Sequence, residues 1–207
     1  MNLPNETFCV LPWISLETSP IGSVRPCCLA DHELTNDAGE KYSLLDANLN
    51  DVLHSNSMQS LRQEFLAGEK PKTCRKCWDT ESAGIKSKRQ YTHERLESLL
   101  ATETEWTEDA KDLMFIDFKL GNICNLKCRI CGSWSSSTYA TEEVKTFPKA
   151  EQKQSFPYTM LRAGAWPRKN EQFWEDLKDI SQGLRYLEFT GGEPFMIREH
   201  FEYLNSL

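Results

Sequence analysis

Three cysteines fall within eight residues, Cys124-Asn-Leu-Lys-Cys128-Arg-Ile-Cys131, and three thiolates that close together can wrap one face of a metal cluster. Four protein ligands close a cluster and suit electron transfer, whereas three leave one metal position open, the arrangement of catalytic metal sites in general. The spacing alone divides evenly between such an open cluster and two blander sites: a zinc knuckle short of one ligand, or a ferredoxin-like site whose fourth cysteine lies upstream. A second motif, Thr190-Gly191-Gly192-Glu193-Pro194, stands about sixty residues further on. Paired glycines let a backbone come close to a ligand, and their peptide groups can accept hydrogen bonds from an ammonium. Proline then suits the opening of a helix.

Both motifs need strands to position them. Residues 113–120 form a short apolar run that turns to alternation, which predicts a strand, and the cysteine motif begins four residues after it. Residues 133–144 read as a helix opened by serines. Residues 145–170, with Pro148, Pro157 and Pro167, read as irregular and resemble an insertion. A helix over 171–180 and a strand over 184–189 follow, then the Gly-Gly motif and a terminal helical segment. Strand, helix, strand, helix with long crossovers is the grammar of a parallel sheet, and ligands of such folds bind at the C-terminal ends of the strands.

The chain up to about residue 90 is loop-rich. Residues 13–17 have strand-like spacing, Ser19-Pro-Ile-Gly22 supplies a turn, and residues 23–27 return, so a hairpin is expected. Residues 32–42 are polar loop. Of the apolar positions from Leu49 to Leu66, Met58, Leu61, Phe65 and Leu66 have helical spacing and predict a helix stopped at Gly68, which delivers the chain to Cys74-Arg-Lys-Cys77. Glu97, Glu103, Glu105, Glu108 and Asp109 mark a charged helix and linker. The expected organisation is therefore a cysteine-rich region over 1–92, a linker and helix over 93–112, and an α/β region over 113–207.

Of 207 residues, 39% are hydrophobic and 27% charged, which fits a folded globular chain. A net charge of −7 argues against a broad grip on nucleic acid or an anionic membrane. The N-terminal residues lack the basic and apolar regions of a secretory signal, and no apolar run is long enough to span a membrane, so the expected location is cytoplasmic. In that setting eight clustered cysteines favour metal binding over disulfides, and their split between residues 9–77 and 124–131 suggests two separate metal sites.

Cys124, Cys128 and Cys131 together with Gly191-Gly192-Glu193-Pro194 resemble the cluster and SAM-binding motifs of the radical SAM superfamily. The resemblance implies a [4Fe–4S] cluster whose open iron binds S-adenosylmethionine (SAM), with the Gly191–Pro194 segment meeting its amino group. It implies reductive cleavage of SAM to a 5′-deoxyadenosyl radical that abstracts hydrogen from a substrate, with an electron donor such as flavodoxin or ferredoxin as partner. Ile130 stands where the family often has an aromatic residue. The fold implied is a partial (β/α)6 barrel, of which the chain reaches only the second unit by Leu207. With two strands and open edges, the chain by itself is expected to turn over SAM poorly.

Cys9, twelve residues, Gly22, four residues and Cys27 resemble the opening of the SPASM and twitch auxiliary-cluster domains, and Cys74 and Cys77 supply two more thiolates. The resemblance implies a closed auxiliary [4Fe–4S] cluster; a structural zinc site is the alternative for the same donors. Cys28 reads as a spare that could replace Cys27. Proteins with such domains often modify peptides or proteins, which makes a peptide or protein the leading substrate class. The rival from another class is a non-catalytic iron–sulfur or zinc protein acting in electron transfer or binding. His54, His93 and His200 read as surface residues rather than ligands, and His32 lies nearer to Cys27 and Cys28. Trp166 and Trp174 read as core, and Glu188 as a strand residue facing either a barrel interior or solvent.

Overall fold

Four segments with extended backbone meet in one sheet: β1 (Ser15–Thr18), β2 (Val24–Arg25), β3 (Phe115–Lys119) and β4 (Tyr186–Thr190), in the order β2-β1-β3-β4. The computed structural model describes residues 2–101, 105–168 and 170–207; Met1, Lys169, and Glu103 of the charged stretch with its two neighbours lie outside them. β1 and β2 form the expected antiparallel hairpin. β3 and β4 pair in parallel, also as expected, with Phe115 opposite Tyr186 and Lys119 opposite Thr190.

The sheet is larger than the two strands expected. β1 also pairs with β3 in parallel, Ser15 opposite Phe115 and Thr18 opposite Phe118, so one sheet runs through the cysteine-rich region and the α/β region. β2 and β4 are its edges, and the sheet is open. The barrel that the family resemblance implies is not closed among the described residues.

The pairing gives the sheet two chemically distinct faces, because side chains alternate along each strand. Leu16, Ile116, Phe118, Leu187 and Phe189 form the apolar face. It packs under α8 (Glu171–Ile180) and α9 (Arg198–Leu204), with Phe118 5.7 Å from Phe173 and Phe189 6.0 Å from Tyr203, ring centre to ring centre. Trp166 and Trp174 are buried in the same core, as expected. Glu17, Asp117 and Glu188 stand in one row on the polar face. A helix over Lys88–Leu96 crosses this face: Arg95 pairs with Glu188 at 3.1 Å and its guanidinium lies 4.1 Å from the Tyr186 ring.

Four local expectations change. Trp13 and Ile14 belong to a short helix, α1 (Leu11–Ile14), because Pro12 favours the first turn of a helix over a ladder. Leu49, Val52 and Leu53 form a helix of their own, α2 (Leu49–Leu53), ahead of the expected one, α3 (Asn56–Leu66). Ser55 separates them, its Oγ accepting the Met58 N–H at 3.3 Å as an N-cap. Residues 145–170 are not wholly irregular: α7 (Phe156–Ala163) starts at a Ser155 cap with Pro157 in its first turn. In chain order the other helices are α4 (Arg75–Ser82), α5 (Lys88–Leu96) and α6 (Ser137–Val144). α5 starts earlier than the charged stretch suggested, at a reciprocal cap between Ser87 and Gln90.

Arg62 on α3 ties these pieces together. Its side chain is buried and donates to the carbonyls of Pro12 at 2.9 Å, Glu108 at 3.1 Å and Leu53. Arg62→Met keeps the volume but strands those carbonyls, so it is expected to lower the unfolding free energy by about 3 kcal/mol. The urea midpoint at unchanged slope reads this. A loss under about 1 kcal/mol would show that the carbonyls find other donors.

Candidate metal centres

The cysteine loop leaves β3 at its C-terminal end and is held by short polar side chains. Gly121 turns it with φ +78°, and a Cβ there would lie 1.9 Å from the Gly164 carbonyl oxygen. Buried Asn122 donates to the carbonyls of Ser133 at 2.9 Å and Met160 at 3.1 Å, pinning both ends of the loop to α7. Ser137 Oγ accepts the Cys124 N–H at 3.0 Å, and Thr138 Oγ1 donates to the Cys124 carbonyl at 2.7 Å. Ser136 donates to the Leu126 carbonyl at 2.7 Å and caps α6. The serines that open α6 therefore hold the loop as well as the helix. Cys124 is buried, Cys131 partly exposed and Cys128 exposed. Ile130 points outward, 91% exposed, with Leu126 and Trp134 half exposed nearby in the chain.

The Gly-Gly motif meets this loop backbone to backbone. Leu120 N–H donates to the Thr190 carbonyl at 2.9 Å, and Glu193 N–H donates to the Ile123 carbonyl at 2.7 Å. A Cβ on Gly192 (φ +45°) would lie 2.4 Å from the Ile123 oxygen. A Cβ on Gly191 (φ +79°) would lie 2.9 Å from that of Lys119. Only glycine permits both the dihedrals and the approach. Two motifs about sixty residues apart in the chain thus share one edge of the sheet. Pro194 begins a 3-10 turn, Pro194–Met196, capped by the Glu193 carboxylate, which accepts the Phe195 N–H at 3.1 Å.

Upstream, two loops and a helix bring four thiols into one neighbourhood. Cys9 precedes α1, Cys27 follows β2, and Cys74 and Cys77 flank the start of α4. Gly22 turns the hairpin with φ +83°, the Trp166 ring packing where its Cβ would be. The loop after Cys28 is tied to the pair at Cys74 by the Asp31 N–H, which donates to the Thr73 carbonyl at 2.8 Å. Arg89 on α5 binds Glu81 of α4 through two nitrogens and donates to the carbonyls of Glu6 and Phe8 at 2.8 Å, fixing the approach to Cys9.

All six pairs among Cys9, Cys27, Cys74 and Cys77 feel one another electrostatically. Burial, reinforced by the neighbouring thiols, pushes Cys9 and Cys74 far up, and burial pushes Cys27 up to about 11. A bound cation would offset that cost, so the chemistry of four thiols suits a metal centre. Among the described residues no three His, Cys, Asp or Glu side chains stand in an arrangement that by itself would hold a metal ion. Cys28 faces elsewhere: its sulfur accepts from Lys88 Nζ at 2.9 Å, and Asp117 is its other ionic neighbour.

The histidines divide. His32 and His54 are exposed, His54 with its ring on its own helix's Asn50 carbonyl at 2.9 Å. His200, expected at the surface, is buried: its ring lies 4.6 Å from that of Phe189, and its Nδ1 is 3.3 Å from the Pro194 carbonyl. The reason is the apolar face it shares with Tyr203 on α9. His93 on α5 is partly buried, and its Nε2 is enclosed with no hydrogen-bond partner. Glu188 pairs with Arg95 on the polar face. The spacing reading missed Asn122, Ser136, Ser137 and Thr138; the run of serines after Cys131 was the available signal, read there only as a helix start.

Residues 9–78 match the family model of the SPASM domain, described as an iron–sulfur cluster-binding domain. Neither the curated proteins nor the solved structures contain a match to the chain. The matched span begins at Cys9 and takes in Cys27, Cys28, Cys74 and Cys77, so the resemblance of this region to a SPASM domain is met.

Two outcomes are expected from this packing. Gly192→Ala adds a backbone clash to the dihedral strain, and should cost about 2 kcal/mol more in urea unfolding than Gly39→Ala, which also has positive φ but open space. Equal losses would show that the loops move apart freely. Burial lowers the folded-state pKa of His200, and of His93 to about 4, from an ordinary 6.5. As pH falls below 6.5 the unfolded chain takes up protons the folded one refuses, so this contribution to stability is present above 6.5 and lost on acidification. The double variant His93→Phe, His200→Phe should show a shallower decline in stability between pH 6.5 and 4.5; an unchanged slope would place the acid sensitivity elsewhere.

Proposed function

We propose, on the premise of an iron–sulfur cluster-binding domain over residues 9–78, that the chain is a radical SAM enzyme with an auxiliary cluster. Cys124, Cys128 and Cys131 hold a [4Fe–4S] cluster with one open iron, and Gly191, Gly192, Glu193 and Pro194 receive the SAM amino group beside it. Cys9, Cys27, Cys74 and Cys77 close the auxiliary [4Fe–4S] cluster. The observation that carries the reading is the backbone contact of the Gly192–Glu193 segment with Ile123, the residue before Cys124.

When bound, the three-cysteine cluster supplies the electron that splits SAM into methionine and a 5′-deoxyadenosyl radical, which takes hydrogen from the substrate. The chain's own residues fix the geometry. Asn122, Ser137 and Thr138 hold the loop that carries the three cysteines, and three protein thiolates would leave the fourth position of a cluster open to SAM. Gly191 and Gly192, without side chains, let SAM reach that position. Glu193 fixes the exit of the segment by capping the turn that follows. Leu126 and Ile130 are exposed apolar groups on the same loop and give SAM a surface for its adenine. Lys119, beside Gly191, is ion-paired to buried Glu17, which keeps its charge directed back into the sheet.

The substrate class is a peptide or protein, and the electron donor a flavodoxin or ferredoxin; the location is cytoplasmic. No helix among the described residues is long and apolar enough to cross a membrane.

The full chain, reconstituted with iron and sulfide under anaerobic conditions and reduced, is expected to convert SAM to 5′-deoxyadenosine slowly but above the level of the chain without iron. Cys124→Ala should abolish the product, while Cys74→Ala should retain part of it. Iron and sulfide without product would favour the rival, an iron–sulfur protein acting in electron transfer or binding. About eight irons per chain support two cubanes, whereas about four irons with one zinc assign zinc to the upstream site.

A further inference from the structure

Lys88 is the first residue of α5, and it stands where the upstream thiols meet the polar face of the sheet. Its Nζ donates to Cys28 Sγ at 2.9 Å and lies 3.8 Å from Asp117 of β3. It lies 5.6 Å from the centre of the Phe115 ring. Cys28 is bonded to Cys27 through one peptide, and Lys88 acts electrostatically on Cys27 as well as Cys28.

Among the described residues, Arg25 and Arg89 also act on these thiols, and each is matched by a carboxylate. Arg25, which feels Cys27, binds buried Glu17 through two nitrogens at 2.8 and 3.0 Å. Arg89, which feels Cys9, binds Glu81 through two nitrogens at 3.0 and 2.7 Å. Lys88 differs: its nearest partner is a sulfur, and its carboxylate stands back at a longer distance. A one-electron reduction adds one negative charge to a cluster, and a cation nearby stabilises the reduced form.

We propose that Lys88 is the cation that raises the reduction potential of a cluster held by Cys9, Cys27, Cys74 and Cys77, acting across Cys28 and balanced by Asp117. The proposal rests on the cluster reading above. It also gives Cys28 a role, as the sulfur that holds the Lys88 ammonium beside Cys27 without being a ligand. The electron enters from a reductant such as dithionite and stays on the cluster, with no proton required.

The test uses the full chain with Cys124, Cys128 and Cys131 changed to Ala, so that only the upstream site is read. Iron content is measured first, then a redox titration is followed by electron paramagnetic resonance. Lys88→Met is expected to make reduction about tenfold less favourable, a fall of roughly 59 mV for one electron, and Lys88→Arg to stay near the parent. Asp117→Asn, which frees the ammonium from its balancing charge, is expected to move the potential upward. Unchanged potentials at unchanged iron content would overturn the role of Lys88 and leave the cluster reading intact. Absence of iron from the parent chain would overturn both. If Lys88→Met loses its iron, Asp117→Asn decides: an upward shift supports the proposal and no shift overturns it.

Discussion

The in-register parallel pairing of β3 with β4 is the constraint on which the site depends. It aligns the ends of two strands so that Leu120 N–H meets the Thr190 carbonyl, and one turn later Glu193 N–H meets that of Ile123. A one-residue slip would turn Glu188 into the core and Phe189 out of it. The apolar face therefore fixes the register, and the register brings the Gly-Gly segment to the cysteine loop. The positive dihedrals of Gly191 and Gly192 serve this contact, since any Cβ there would collide with the neighbouring backbone or with Lys119.

The polar face carries a different constraint. Glu17 is fully buried between Arg25 and Lys119, and Asp117 is nearly so beside Lys88. Buried carboxylates are tolerated only with close cationic partners, so α5, which supplies Lys88 and Arg95, is held to the sheet by the same charges it neutralises. The upstream region is thereby built onto the sheet rather than tethered beside it: α5 touches the strand that ends in the cysteine loop, and α4 carries Cys77.

Much of this was legible in the sequence where the signal is local. Phe173, Trp174, Leu177 and Ile180 at helical spacing locate α8, and alternation before Gly121 locates β3. The pairing of β1 with β3 was not legible, because it joins residues about a hundred positions apart and leaves no periodic trace. α7 was hidden because Pro157 reads as a breaker, though a proline in the first turn starts a helix as readily as it ends one. The choice between Cys27 and Cys28 was open in the sequence for a related reason. Adjacent side chains diverge, and only the fold shows Cys27 interacting with Cys9, Cys74 and Cys77 while Cys28 accepts from Lys88 Nζ. His200 looked polar in a polar segment, and its burial follows from the face of α9 turned toward Phe189.

The central claim is that Cys124, Cys128 and Cys131 hold a cluster that SAM touches directly beside the Gly-Gly segment. The most direct measurement is electron–nuclear double resonance on the reduced full chain, reconstituted with iron and sulfide, with SAM carrying nitrogen-15 in its amino group. The account predicts a hyperfine coupling between that nitrogen and the cluster. A spectrum identical with and without SAM, in a chain that holds the reduced cluster, would contradict it.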